Sequence, residues 1–140
     1  MDEREPVEDS EFVYRRIHET FFDSSLPIPV RRAAFKPNQH DTVGISVFRS
    51  RFLRAVDTLA NIDPVKAGKY LVAQLSVSEL RRLGLTIVPD PVPGGPPGHA
   101  VLPELSWDNY HARQEPWKVI LAELAKLASA GIVYRPKGEP

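Results

Sequence analysis

The chain has 140 residues, enough for one domain to bury a core without covalent cross-links. Eighteen Lys and Arg balance eighteen Asp and Glu, so there is no surplus of positive charge of the kind that drives general binding to nucleic acid. The absence of cysteine removes disulfides, thiol nucleophiles and cysteine-based zinc or iron–sulfur sites, and with no apolar run near the ~20 residues that span a bilayer and no apolar leader, the expected setting is cytoplasmic, with no membrane partner.

Residues 1–10 are acidic and polar and predict a flexible N-terminal tail, followed by one globular domain over 11–134 and a loose tail at 135–140. Phe12–Ile17 fits a helix or a strand by spacing; its aromatic and β-branched density favours the strand. Prolines 27 and 29 oppose helix in the linker that follows. Arg31–Lys36 predicts a short strand and Val43–Val47 another, with Ser46 inside it. Phe48, Phe52, Leu53, Val56 and Leu59 fall in one arc at helical spacing, so a main helix is expected over about 48–60, with Arg51 and Arg54 on its opposite side.

The stretch from Tyr70 to Leu105 organises the rest. Tyr70–Leu75 has the apolar, partly β-branched composition of a buried strand. Ser76 and Glu79 form an S-x-x-E pattern at the start of a short helix over about 77–83, and Gly84 supplies the residue without a Cβ that ends it. Leu85–Val88 predicts a second strand. The Pro/Gly-rich loop 89–98 excludes regular structure, and Ala100–Leu102 predicts a third strand, with His99 at its entrance and Glu104 just past its exit. Trp107 and Tyr110 precede a long helix over about 116–130, whose stripe runs through Trp117, Ile120, Leu121, Leu124, Leu127 and Ala128. The expected class is α+β: a short mixed or mainly antiparallel sheet of four to six strands with two main helices and one short one.

Phosphate-cradling glycine motifs, H-E-x-x-H, an EF-hand loop and G-x-S-x-G are all missing from the sequence. The histidines 18, 40, 99 and 111 show no metal-ligand spacing, so no metal is expected. The primary expectation is a non-catalytic interaction or accessory domain that binds another protein through Trp107, Tyr110, Arg51 and Arg54, with no cofactor, because aromatics and arginines concentrate the energy of protein interfaces. The alternative is an enzyme. Arg15 or Arg16 on the first strand, Ser46 on a later strand and Glu104 after the last resemble, in that order, the NAD site of ADP-ribosyltransferases. The resemblance implies NAD as cofactor, the arginine meeting phosphate, the serine supporting the nicotinamide ribose and the glutamate orienting the acceptor. A hydrolytic site built on His99 as general acid or base is the other form of this alternative.

Overall fold

A computed structural model describes residues 2–136. Six strands form one open antiparallel sheet in the order β4-β5-β2-β1-β3-β6. They are β1 (Phe12–His18), β2 (Ile45–Arg49), β3 (Tyr70–Ser76), β4 (Val88–Pro89), β5 (His99–Leu102) and β6 (Ile132–Tyr134). The helices are α1 (Pro64–Ala67), α2 (Val77–Arg82), α3 (Trp107–Ala112) and the one long helix, α4 (Gln114–Ala130). The α+β class expected from the sequence is therefore the one observed.

Strand alternation divides the sheet into two chemically different faces. Val13 and Ile17 of β1, Ile45 and Val47 of β2, Leu71, Ala73 and Leu75 of β3, and Ala100 and Leu102 of β5 are all buried and belong to one core cluster. Leu121, Leu124 and Ala128 of α4, Leu80 of α2 and Phe35 complete that cluster, so the helices cover this face. The opposite face carries Tyr14, Arg16, Ser46, Phe48, His99 and Val101, placed together by the registers Tyr14↔Phe48, Phe48↔His99 and Ser46↔Val101.

The capped helix after β3 forms as expected. The Ser76 hydroxyl accepts from the Glu79 N–H at 3.4 Å, although the Glu79 carboxylate pairs with Arg82 instead of returning to the cap. Two other expectations are corrected. Residues 48–60 do not form a main helix: Phe48 and Arg49 complete β2, and Ala55–Leu59 is a 3-10 helix capped by Arg54 and Asp57. Strand pairing with Tyr14, Val13 and His99 outweighs the helical spacing, and Val56, which the helix reading puts on the apolar arc, is 40% exposed. Residues Arg32–Phe35 form a 3-10 helix rather than a strand, folding Ala34 and Phe35 under α4.

The acidic N-terminal segment, residues 2–10, lies folded onto the domain. Their anchor is Arg49, completely buried at the end of β2. Its Nε and Nη2 hold the two Glu11 carboxylate oxygens at 2.9 Å each. Nη1 donates to the Glu3 and Glu5 carbonyls at 3.1 and 2.7 Å, and Nη2 donates to the Pro6 carbonyl at 3.3 Å. All five guanidinium donors are thereby used, and the Phe52 ring lies 5.0 Å from the cation. Val7 is buried in the same segment, and Arg81 of α2 clasps it through the Val7 carbonyl and Asp9. The 137–140 part of the expected C-terminal tail lies outside the described residues.

Removing either partner leaves the other charge buried and unpaired. Arg49→Ala is expected to lower unfolding stability by about 3–5 kcal/mol in urea titration, and to expose residues 2–10 to proteolysis. Burial opposes the charged form of Glu11, but the bonds from Arg49 and the Glu8 N–H and the charges of Arg49 and Arg51 outweigh it, leaving its carboxyl below the ordinary value. Because the folded value is depressed, the stabilisation is complete above the ordinary value of 4.5 and fades as pH falls through the folded one. Melting temperature should therefore drop steeply below pH 4.5 in the wild type and less steeply in Glu11→Gln, measured by circular dichroism.

Candidate active or ligand site

β1 and β2 pair at only two positions, Val13↔Arg49 and Tyr14↔Phe48. Continued in register, Val47 would face Arg15 and Ser46 would face Arg16. Instead β1 goes on with β3 alone and β2 with β5 alone, so the sheet forks at its centre. The fork opens into a cleft of about 440 Å³ that Arg15, Arg16, Ser46, Lys66, Tyr70 and Asp41 help to line.

Arg15 points to the core face and spans the fork. Its Nη1 donates to the Ser46 carbonyl at 2.9 Å and its Nη2 to the Ala34 carbonyl at 2.8 Å, with the Phe35 ring 5.8 Å from the cation. Its Nε is buried without a hydrogen-bond partner. Burial pushes the Arg15 pKa down to about 10; Asp41 and Tyr70 oppose the shift and Arg16 adds to it, and the side chain remains a cation at neutral pH. Arg16 lies on the other face, 5.0 Å from the Phe48 ring, and makes one long bond of 3.4 Å to the Thr58 carbonyl. Burial lowers its pKa as well, against an opposing contribution from Tyr70. Neither arginine forms a salt bridge among the described residues. The lining thus carries Arg15, Arg16 and Lys66 against the single carboxylate of Asp41.

His99 stands beside this cleft. Its Nε2 is 2.9 Å from the Ser46 Oγ, and its Nδ1 is 2.7 Å from the Asp90 carbonyl and 3.3 Å from the Asp90 carboxylate. The ring packs edge-on against Phe48, the same ring that Arg16 covers. Gly98 fixes its approach. With φ at +82° and the Arg49 carbonyl 3.1 Å from where a Cβ would sit, this position favours glycine; its carbonyl accepts from the Arg49 N–H and its N–H donates to Glu3.

Arg16, Ser46 and His99 therefore come together from three strands, with Arg15 beneath them. Glu104 does not join them. Its carboxylate holds the Thr86 N–H at 2.8 Å and the Thr86 hydroxyl at 2.5 Å, tying the segment before β4 to the end of β5. The proposed interface residues are dispersed. Tyr110 is 2% exposed and offers no surface, Arg51 leans on Glu5 and Glu11, and Arg54 is bonded to Asp57. Trp107 remains 36% exposed and stacks on His111 with centroids 3.9 Å apart.

Sequence reasoning did not single out Lys66 and Tyr70 for the cleft, and it missed Arg49 altogether. Strand parity carried a signal for Arg49: it continues the alternation of the apolar residues Ile45 and Val47 onto the buried face, where an arginine needs acidic partners. Among the described residues no group of three or more His, Asp or Glu is placed to hold a metal ion, and no helix is long and apolar enough to cross a membrane. No protein-family model matches the chain, and neither a curated protein nor a solved structure does.

Proposed function

We propose that the β1–β2 cleft binds a phosphate-bearing small molecule of the nucleotide class, with NAD the first such ligand to test. The observation that carries this reading is the pair Arg15 and Arg16, half-buried in one cleft and neutralised by no salt bridge among the described residues. Adjacent cations withdrawn from water repel one another and lose hydration, and a bound anion relieves both costs. The planar guanidinium fork matches phosphate oxygens two at a time, and Lys66 adds a point charge at the rim. Tyr70 and Phe21 give the same cleft apolar ring surface for a base or sugar.

The placement of Arg16 and Ser46 on neighbouring strands is consistent with the resemblance to ADP-ribosyltransferase sites. The position of Glu104 departs from it: the carboxylate lining this cleft belongs to Asp41. Ligand binding is accordingly the core of the proposal, and acceptor activation is not assigned to Glu104. A protein-docking role is the second reading, favoured by the exposed Trp107 stacked on His111. A stoichiometric protein partner co-purifying from the native host, and lost in Trp107→Ala, would support it.

Isothermal titration with NAD, ADP and pyrophosphate tests the first reading. Wild-type binding is expected, and Arg16→Ala should weaken it about tenfold or more, since charge-assisted hydrogen bonds contribute roughly 1.5–3 kcal/mol. Lys126→Ala on α4, whose side chain pairs with Glu123, serves as a control that keeps wild-type affinity. Absence of binding by all three ligands at millimolar concentration would overturn the proposal.

A further inference from the structure

A second concave surface lies on the helix side of the domain and shares no lining residue with the β1–β2 cleft. Two cavities, of about 450 and 210 Å³, run between α4 and the segment 26–36, and Arg32 and Ala33 line both. The larger is walled by Leu26, Ile28 and Val30 on one side and by Ala122 and Ala125 of α4 on the other. Val30 and Ala125 are buried at its floor, while Leu26 and Ile28 are each 39% exposed at its edge. Val119, 64% exposed and one helical turn before Ala122, continues the apolar strip along α4. The fixed φ of Pro27 and Pro29 limits the freedom that this wall would lose on docking.

The charge of the groove says what a partner must carry. Arg31, Arg32 and Lys36 line the two cavities, no carboxylate does, and these three cations form no salt bridge among the described residues. The lysines of α4 along the same groove are already matched, Lys118 by Glu115 and Lys126 by Glu123. The backbone of the partner is constrained as well. Neither lining includes a residue of the six strands, so an extended segment laid there would meet no sheet edge, whereas a helix satisfies its own N–H and C=O groups. From Lys118 to Lys126 the groove follows α4 for roughly 12 Å, about two turns of a docked helix. Its concave form suits a convex helix better than the plane of a lipid surface. We propose that this groove docks an acidic amphipathic helix of a partner protein, with the apolar stripe on Leu26, Ile28 and Ala122 and the carboxylates on Arg32 and Lys36.

The test is a phage-displayed library of random peptides of about 16 residues, roughly four helical turns, selected against the full chain. The expected winners carry apolar residues at i, i+3 and i+7, with Asp and Glu outnumbering Lys and Arg. Synthetic copies, followed by fluorescence anisotropy, should bind Ile28→Asp and Arg32→Glu at least tenfold more weakly than the wild type, about the loss of one interface hot spot. Val65→Asp, at an exposed position on α1, should bind them as the wild type does. Replacing the acidic residues of a peptide by lysine should abolish binding to the wild type and restore it in part to the double variant Arg32→Glu, Lys36→Glu. All the substituted side chains are exposed, and melting curves establish that each variant is folded. Winners without an acidic bias, winners that bind Ile28→Asp and Arg32→Glu as tightly as the wild type, or no winner at all overturns the proposal. Co-sedimentation with vesicles containing phosphatidylserine that is lost in Ile28→Asp, with no peptide selected, assigns the surface to lipid and overturns it too.

Discussion

The bidentate pair between Arg49 and Glu11, enclosed by three backbone carbonyls, is the interaction on which the other arrangements depend. A guanidinium with no exposure survives folding only when every donor is satisfied, and here the N-terminal segment must wrap around the end of β2 to supply the carbonyls. The same segment contributes Glu3 to the N–H of Gly98, while the Arg49 N–H takes the Gly98 carbonyl. His99 follows directly. One buried cation thus ties the chain's beginning to the strand carrying Ser46 and to the loop that delivers the imidazole beside it.

The fork in the sheet extends this logic. Beyond Tyr14 the two central strands no longer share a ladder, and backbone groups there need other partners. Arg15 supplies one by donating to Ser46 and Ala34 from the core side, while Arg16 lies across Phe48 on the other. Consecutive residues of a strand project to opposite faces. Both reach one cleft because the sheet is open between them, which makes the positive lining a product of topology as much as of composition. A chain with no net charge can concentrate cations in this way only by carrying carboxylates in excess elsewhere.

Much of the fold was legible because local signals agreed with one another. In Tyr70–Gly84 an apolar β-branched run, a serine cap and a closing glycine all favour the same strand and helix, and α4 declares itself by its apolar stripe. Residues 48–60 misled because an arc of apolar residues at helical spacing also suits a strand end followed by a 3-10 turn, and sheet pairing decides between them from far away in sequence. At the N-terminus, acidic composition reads as solvated, and the buried Arg49 that gathers the segment gives no local signal there. For the site, Arg16, Ser46 and His99 were available as residue types on strands, but their proximity rests on registers between β1, β2 and β5, which no local pattern encodes. Glu104 shows the reverse: its place after the last central strand made it eligible, and a short tie to Thr86 takes it away.

The forked sheet also bears on how the domain comes apart. Strands β4, β5 and β2 form one three-stranded leaf and β1, β3 and β6 another, joined across the middle by two residue pairs, the bond from the Ser50 N–H to the Phe12 carbonyl and the bond from Arg15 to the Ser46 carbonyl. Such leaves are natural cooperative units for partial opening, with amide protons near the seam exchanging through a smaller fluctuation than those in the full β1–β3 ladder. A molecule lodged between them, touching arginines on one leaf and the serine on the other, would act as a rivet, and its occupancy would be recorded as slowed exchange along both margins of the seam.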